Sequence, residues 1–154
     1  MAKINLKIPQ GYRRFFYLTL GLSWLSGVSF WLLRRYGFVE GDFGPEAHFL
    51  QFPLLQIHGL AAFTMLLCLG AIFSAHVPSA WSGKRAKKSG IVLVSSVSLS
   101  ILSAYSLYYL VSEEWHDILA NGHAIFGVLL PIILIIHIKI ARKSRNKKNA
   151  LNYS

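Results

Sequence analysis

Four of the six histidines in this sequence lie within long apolar segments, where titratable rings are unexpected. They are His58 and His76 in one segment, and His123 and His137 in another. An α-helix turns by about 100° and rises by about 1.5 Å per residue. The eighteen steps from His58 to His76 make five full turns, and the fourteen from His123 to His137 leave those rings within roughly 40° of one face. Each segment, as a helix, carries two imidazoles on one stripe.

Paired imidazoles in an apolar setting fit one kind of site better than others. A single histidine on an apolar helix is more often a hydrogen-bonded packing residue than a ligand. Four histidines that match in face and level on two helices favour ligation instead. Two imidazoles are too few for structural zinc, which usually takes four protein ligands. They suffice for the two axial positions of a haem iron, and a flat, apolar porphyrin fits between the helices of a bundle.

Composition identifies the elements that must position these rings. The chain is 54% hydrophobic and 14% charged, against about 25% charged in soluble domains. Four apolar runs, at residues 15–33, 50–76, 91–111 and 118–140, approach the ~20 residues that a membrane-spanning helix needs. The sequence predicts an all-α, integral membrane four-helix bundle as a single domain over 1–154, with a basic tail at 141–154. The third run is rich in serine, which permits close helix packing, so it is predicted to be scaffold.

The net charge of +10 is typical of nucleic-acid binding, but the placement of the charges argues against it. Fourteen of the sixteen basic residues fall before the first run, between the second and third, or from Lys139 at the end of the fourth run onward. All six acids fall in the other two connections, around 34–49 and 112–117. By the positive-inside rule, both termini are cytoplasmic. We therefore expect a multi-pass protein of the bacterial inner (plasma) membrane that contacts lipid and no nucleic acid.

This orientation gives two predicted ligand pairs, one at each membrane level. His58 and His123 form the outer pair, and His76 and His137 form the inner pair, for two non-covalent haem b groups. A rival pairing joins His116 to His58 but places that ligand near the membrane surface. Arg34 and Arg35, at the outer end of the first run, are candidate partners for haem propionates, although they can equally reach lipid headgroups. The roles of His48 and His116 stay open.

Several stretches resemble a known class of membrane protein. HGLAAFTMLLCLGAIFSAHV, WSGKRAKKSG, SAYSLYY and GHAIFGVLLPIILIIHI resemble small bacterial four-helix di-haem cytochrome b membrane proteins, and more distantly bacterial cytochrome b561 and the membrane cytochrome b subunit of formate dehydrogenase. The resemblance covers about 54–140 and implies two stacked b haems. In the two better-known families the first helix supplies a haem ligand, whereas here it has no histidine. Their quinone chemistry is therefore not implied for this chain.

The function expected from these features is electron transport across the membrane, as in a respiratory chain. With short connections, the chain is predicted to be an electron-transfer subunit rather than a stand-alone enzyme. It would link an outer-side redox partner, such as a cytochrome or iron-sulfur protein, to quinone or another redox subunit. The alternatives are a self-contained oxidoreductase acting on quinol or a small oxidant, and a haem-free metal-binding or structural membrane subunit.

Overall fold

The computed structural model of the chain describes residues 9–82, 86–109 and 112–151, apart from the side chains of residues 75, 79–82, 145 and 147–151. Its elements, in chain order, are α1 (Gln10–Tyr36), β1 (Phe38–Gly41), β2 (Gly44–Ala47), α2 (Gln51–Ser82), α3 (Lys87–Tyr109) and α4 (Glu113–Leu151). The described chain is therefore mostly helical, as the sequence predicts.

All four helices contain a stretch long and apolar enough to cross a membrane. On α2, for example, Leu60, Phe63 and Leu67 are 73%, 72% and 76% exposed. Their spacing of three and four residues places them on one face. A continuous stripe of large exposed apolar side chains is unfavourable in water but suits hydrocarbon. The prediction of four membrane-spanning helices is confirmed at this level, and the four candidate spans indicate a multi-pass membrane protein.

The orientation of these helices across the membrane stays a prediction. It rests on charge placement, and four of the basic residues used for it lie outside the described residues: Lys3, Lys7, Lys84 and Arg85. The same holds for the side chains of Arg145, Lys147 and Lys148.

Two features of the fold differ in detail from the sequence pattern. Helix α4 continues to Leu151, through most of the stretch expected to be a basic tail. Lysine and arginine are good helix formers, and cations near a helix C-terminus interact favourably with its dipole. The connection at 34–49, expected to be a loop, contains an antiparallel hairpin in which Phe38 pairs with Ala47 and Gly41 with Gly44. Gly44 has φ +123°, which glycine tolerates at little cost.

The chain divides into two compact units, Met1–Ala75 and His76–Ser154. In the first unit, side chains join α1 to α2 at both ends of the helix pair. Tyr12 donates a hydrogen bond from Oη to the carbonyl oxygen of Cys68 (2.6 Å). The Gln51 side-chain amide donates to the carbonyl oxygen of Leu33 (3.2 Å), near the end of α1, and the same oxygen accepts the backbone N–H of Gly37 (2.8 Å).

The second unit is built around the packing of α3 against α4. The two helices run antiparallel, because Ser89 near the start of α3 contacts His137, whereas Ser103 further along α3 contacts His123. Ser96 on α3 and Leu130 on α4 are buried in this unit.

Candidate functional site

His58 on α2 is held by the backbone of α1. Its Nδ1 lies 2.8 Å from the carbonyl oxygen of Ser23. A carbonyl oxygen can only accept, so Nδ1 carries the proton and donates it. In a neutral imidazole the lone pair then lies on Nε2. This Nδ1–H tautomer can ligate a metal through Nε2. The half-buried ring of His58 thus has a defined orientation and a defined donor atom.

Gly27 provides the room for this contact. A Cβ atom at position 27 would lie 2.7 Å from both Cε1 and Nδ1 of the His58 ring, closer than non-bonded carbon atoms normally approach. The hydroxyl of Ser26 donates to the Leu22 carbonyl (2.7 Å) and also lies 3.2 Å from the Ser23 carbonyl. The ring therefore reaches a backbone carbonyl within α1 because residue 27 has no side chain.

His123 and His137 on α4 are each held by a serine of α3. Nδ1 of His123 lies 2.8 Å from Oγ of Ser103, and Nδ1 of His137 lies 3.0 Å from Oγ of Ser89. Both rings are half-buried. In His58, His123 and His137 the same ring nitrogen is therefore held by a helix whose sequence contains no histidine.

His76 lies near the end of α2, which stays helical through this position, and its side chain is exposed. It belongs to the second unit, as does His137. Their pairing as the inner ligands stays a prediction. His58 belongs to the first unit and His123 to the second, and their pairing stays a prediction.

The remaining two histidines, His48 and His116, make different contacts from those of His58, His123 and His137. Nδ1 of His48 accepts a hydrogen bond from the backbone N–H of Leu50 (3.2 Å), and its ring stacks on Phe49 with centroids 4.5 Å apart. It is thus in the opposite tautomer to His58 and supports the turn before α2. His116 lies in the first turns of α4, with Nδ1 3.9 Å from Oδ1 of the exposed Asp117. The contacts of His48 thus belong to the connection before α2, and that of His116 with Asp117 to the start of α4.

Arg34 and Arg35 occupy the last turn of α1, and both side chains are exposed. Positive charge at a helix C-terminus is favourable by itself. Their predicted contact with haem propionates therefore stays a prediction, as does the rival contact with lipid headgroups.

The number of potential ligand side chains that come together bears on the kind of metal site. Among the described residues, no three His, Cys, Asp or Glu side chains come together as a group that could hold a bare metal ion. A bis-histidine haem site needs only two protein ligands, since the porphyrin provides the other four. Haem ligation by these histidines stays a prediction.

The sequence pattern did not identify the residues that hold the rings. The serine-rich composition of the third run predicts scaffold, and no motif distinguishes Ser89, Ser103 or Gly27 from other small residues. Glycine and serine are common in membrane helices for packing reasons, so residue type alone carries little signal.

Comparison of the chain with protein-family models, curated proteins and solved structures finds no match.

Proposed function

We propose that this chain is a b-type di-haem membrane cytochrome that carries electrons across the membrane. In this proposal, His58 and His123 ligate the outer haem and His76 and His137 the inner haem. The observation that carries it is the use of Nδ1: in His58, His123 and His137 this atom is engaged by a neighbouring helix. Ligand histidines in metalloproteins characteristically have their second nitrogen held in this way.

The residues around each ring define what the protein contributes. The Ser23 carbonyl fixes the proton of His58 on Nδ1 and so directs the lone pair of Nε2 away from α1. The two serine hydroxyls hold the α4 rings at the corresponding atom. Haem iron, when bound, supplies one-electron transfer at a potential set by its axial ligands, burial and nearby charge. The chain's own task is to hold four imidazoles in fixed orientations within an apolar layer.

Two haems at different depths would let electrons pass a layer that a bare charge crosses only at high cost. The charge pattern supports a bacterial inner membrane location with both termini cytoplasmic. The hairpin connection then faces outward, and its exposed acids Glu40, Asp42 and Glu46 suit an outer-side redox partner with a basic surface. Quinone or another redox subunit would exchange electrons at the other end of the relay, and Arg34 and Arg35 would neutralise propionates of the outer haem.

The decisive experiment is a reduced-minus-oxidised optical spectrum of the purified chain with pyridine haemochrome quantification. We expect two haem b per chain. His58→Ala and His123→Ala should each remove the same spectral component, and His76→Ala and His137→Ala should each remove the other. His48→Ala is the matched control, because its ring is held in the opposite tautomer in a connection, and it should retain both haems. A colourless chain would overturn the proposal. If His116→Ala removed the outer haem and His123→Ala did not, the outer pair would be His58 with His116 instead of His58 with His123.

A further inference from the structure

The two serines on α3 and the two histidines on α4 have the same spacing. Ser89 and Ser103 are separated by fourteen residues, as are His123 and His137. Fourteen residues of α-helix rise by ~21 Å, so antiparallel helices can form the same contact twice, at two depths. The structure has both contacts, Ser89 with His137 and Ser103 with His123.

The hydroxyl protons of these serines are already used within α3. Ser89 donates from Oγ to the carbonyl oxygen of Ala86 (3.0 Å), and Ser103 donates from Oγ to that of Ser100 (3.0 Å). A hydroxyl has one proton and two lone pairs. With that proton directed to the α3 carbonyl, each Oγ offers its histidine an acceptor, for which Nδ1–H is the matching donor.

We infer that α3, although it contains no ligand, is a positioning helix that sets the Nδ1–H tautomer and the orientation of both α4 imidazoles through Ser89 and Ser103. His137 and His123 thereby present the lone pair on Nε2, as His58 does against the Ser23 carbonyl. The tautomer itself is a property of the protein alone, whereas its consequence for a haem rests on the proposed function. Donation from Nδ1–H makes an imidazole a stronger ligand, which favours the oxidised iron.

The first test uses the full chain with ¹⁵N-labelled histidine in detergent micelles, in haem-free form, and reads the tautomer of each ring from its ¹H–¹⁵N correlations. We expect the Nδ1–H tautomer at His123 and at His137. Ser103→Ala should change the His123 pattern alone, and Ser89→Ala the His137 pattern alone. Ser100→Ala is the control, since the hydroxyl of this half-buried serine donates to the Ser96 carbonyl (3.0 Å) within α3. An Nε2–H tautomer at either ring of the unsubstituted chain would overturn the inference.

The second test reads the midpoint potentials of the haem-loaded chain. Ser103→Ala should raise the midpoint potential of the haem that is lost in His123→Ala. Ser89→Ala should raise the midpoint potential of the haem that is lost in His137→Ala. Each alanine variant should also lose about 10- to 100-fold in haem affinity. Ser→Thr at either position keeps the hydroxyl and should restore the potential, which a purely structural role for the serine would not require. Unchanged potentials in both alanine variants would overturn the inference. Nδ1–H tautomers in a chain that binds no haem would support the inference and refute the proposed function.

Discussion

Gly27 of α1 and His58 of α2 are in contact, and the glycine is the reason that the imidazole reaches the Ser23 carbonyl. The ring atoms Cε1 and Nδ1 both lie 2.7 Å from where a Cβ of residue 27 would be. In an α-helix, the carbonyl of residue 23 points along the axis toward residue 27. A side chain at 27 would therefore stand between the ring and its acceptor.

Gly27→Ala should consequently destabilise the first unit, although glycine-to-alanine changes within helices normally help by roughly 0.5–1 kcal/mol. The displaced ring would leave its Nδ1–H without an acceptor, at a cost of about 1–3 kcal/mol. We expect a lower thermal midpoint in detergent, measured by circular dichroism, together with loss of the haem assigned to His58.

Gly21→Ala is the matched control for this change. It lies on the same helix, and a Cβ there meets no atom within 4 Å, so its thermal midpoint should stay the same or rise. In a His58→Ala background the penalty of Gly27→Ala should disappear, because the two residues then no longer compete for space. Equal effects of the two glycine substitutions would refute the steric role of Gly27.

The exposed stripe on α2 predicts a strong dependence on depth for added charge. Leu67 is 76% exposed and lies near the middle of the span Gln51–Pro78. Leu67→Arg should weaken membrane insertion by about 2.5–3.5 kcal/mol, seen as loss of the chain from the carbonate-resistant membrane fraction. Tyr36→Arg adds the same charge at a similarly exposed site, 74%, but at the end of α1, where an arginine can reach the interface. It should insert normally, and equal loss in both variants would argue against α2 as a lipid-facing span.

The proposed orientation predicts which ends of the helices are accessible from outside the cell. Cys68 is the sole cysteine and is buried, so a Cys68→Ala chain provides a cysteine-free background. Asp42→Cys in the hairpin and Asn146→Cys on α4 both replace exposed residues. A membrane-impermeant maleimide applied to intact spheroplasts should label only the Asp42 variant, and permeabilised cells should label both. The reverse pattern would invert the topology and exchange the inner and outer assignments of the histidine pairs.

The sequence predicted the helices because membrane-spanning length and apolarity are local properties of a segment. It predicted the candidate histidines because helical periodicity relates His58 to His76 and His123 to His137 without knowledge of packing. The hairpin was missed, since two strands of four residues containing Gly41, Gly44 and Pro45 show no usable alternation.

The contacts that hold the rings depend on which residues of neighbouring helices meet, and periodicity within one segment does not determine that register. One signal was present in the sequence: the fourteen-residue spacing occurs in both Ser89–Ser103 and His123–His137. Several serines on α3 offer other spacings, so this match becomes informative only when the antiparallel packing of α3 and α4 is known.

The hairpin gives a prediction that is independent of any cofactor. Gly44 has φ +123°, a region where a residue with a Cβ costs of order 1–3 kcal/mol. Gly44→Ala should therefore open the hairpin locally. The helical circular dichroism signal should be retained, because α1 ends before the hairpin and α2 begins after it. Cleavage by a glutamate-specific protease at the exposed Glu40 and Glu46 should become faster in reconstituted vesicles. Asp42→Ala changes a neighbouring exposed turn residue without a positive φ and should leave the cleavage rate unchanged. If both variants were cleaved at the rate of the unsubstituted chain, the conformation at Gly44 would not be what holds the hairpin closed.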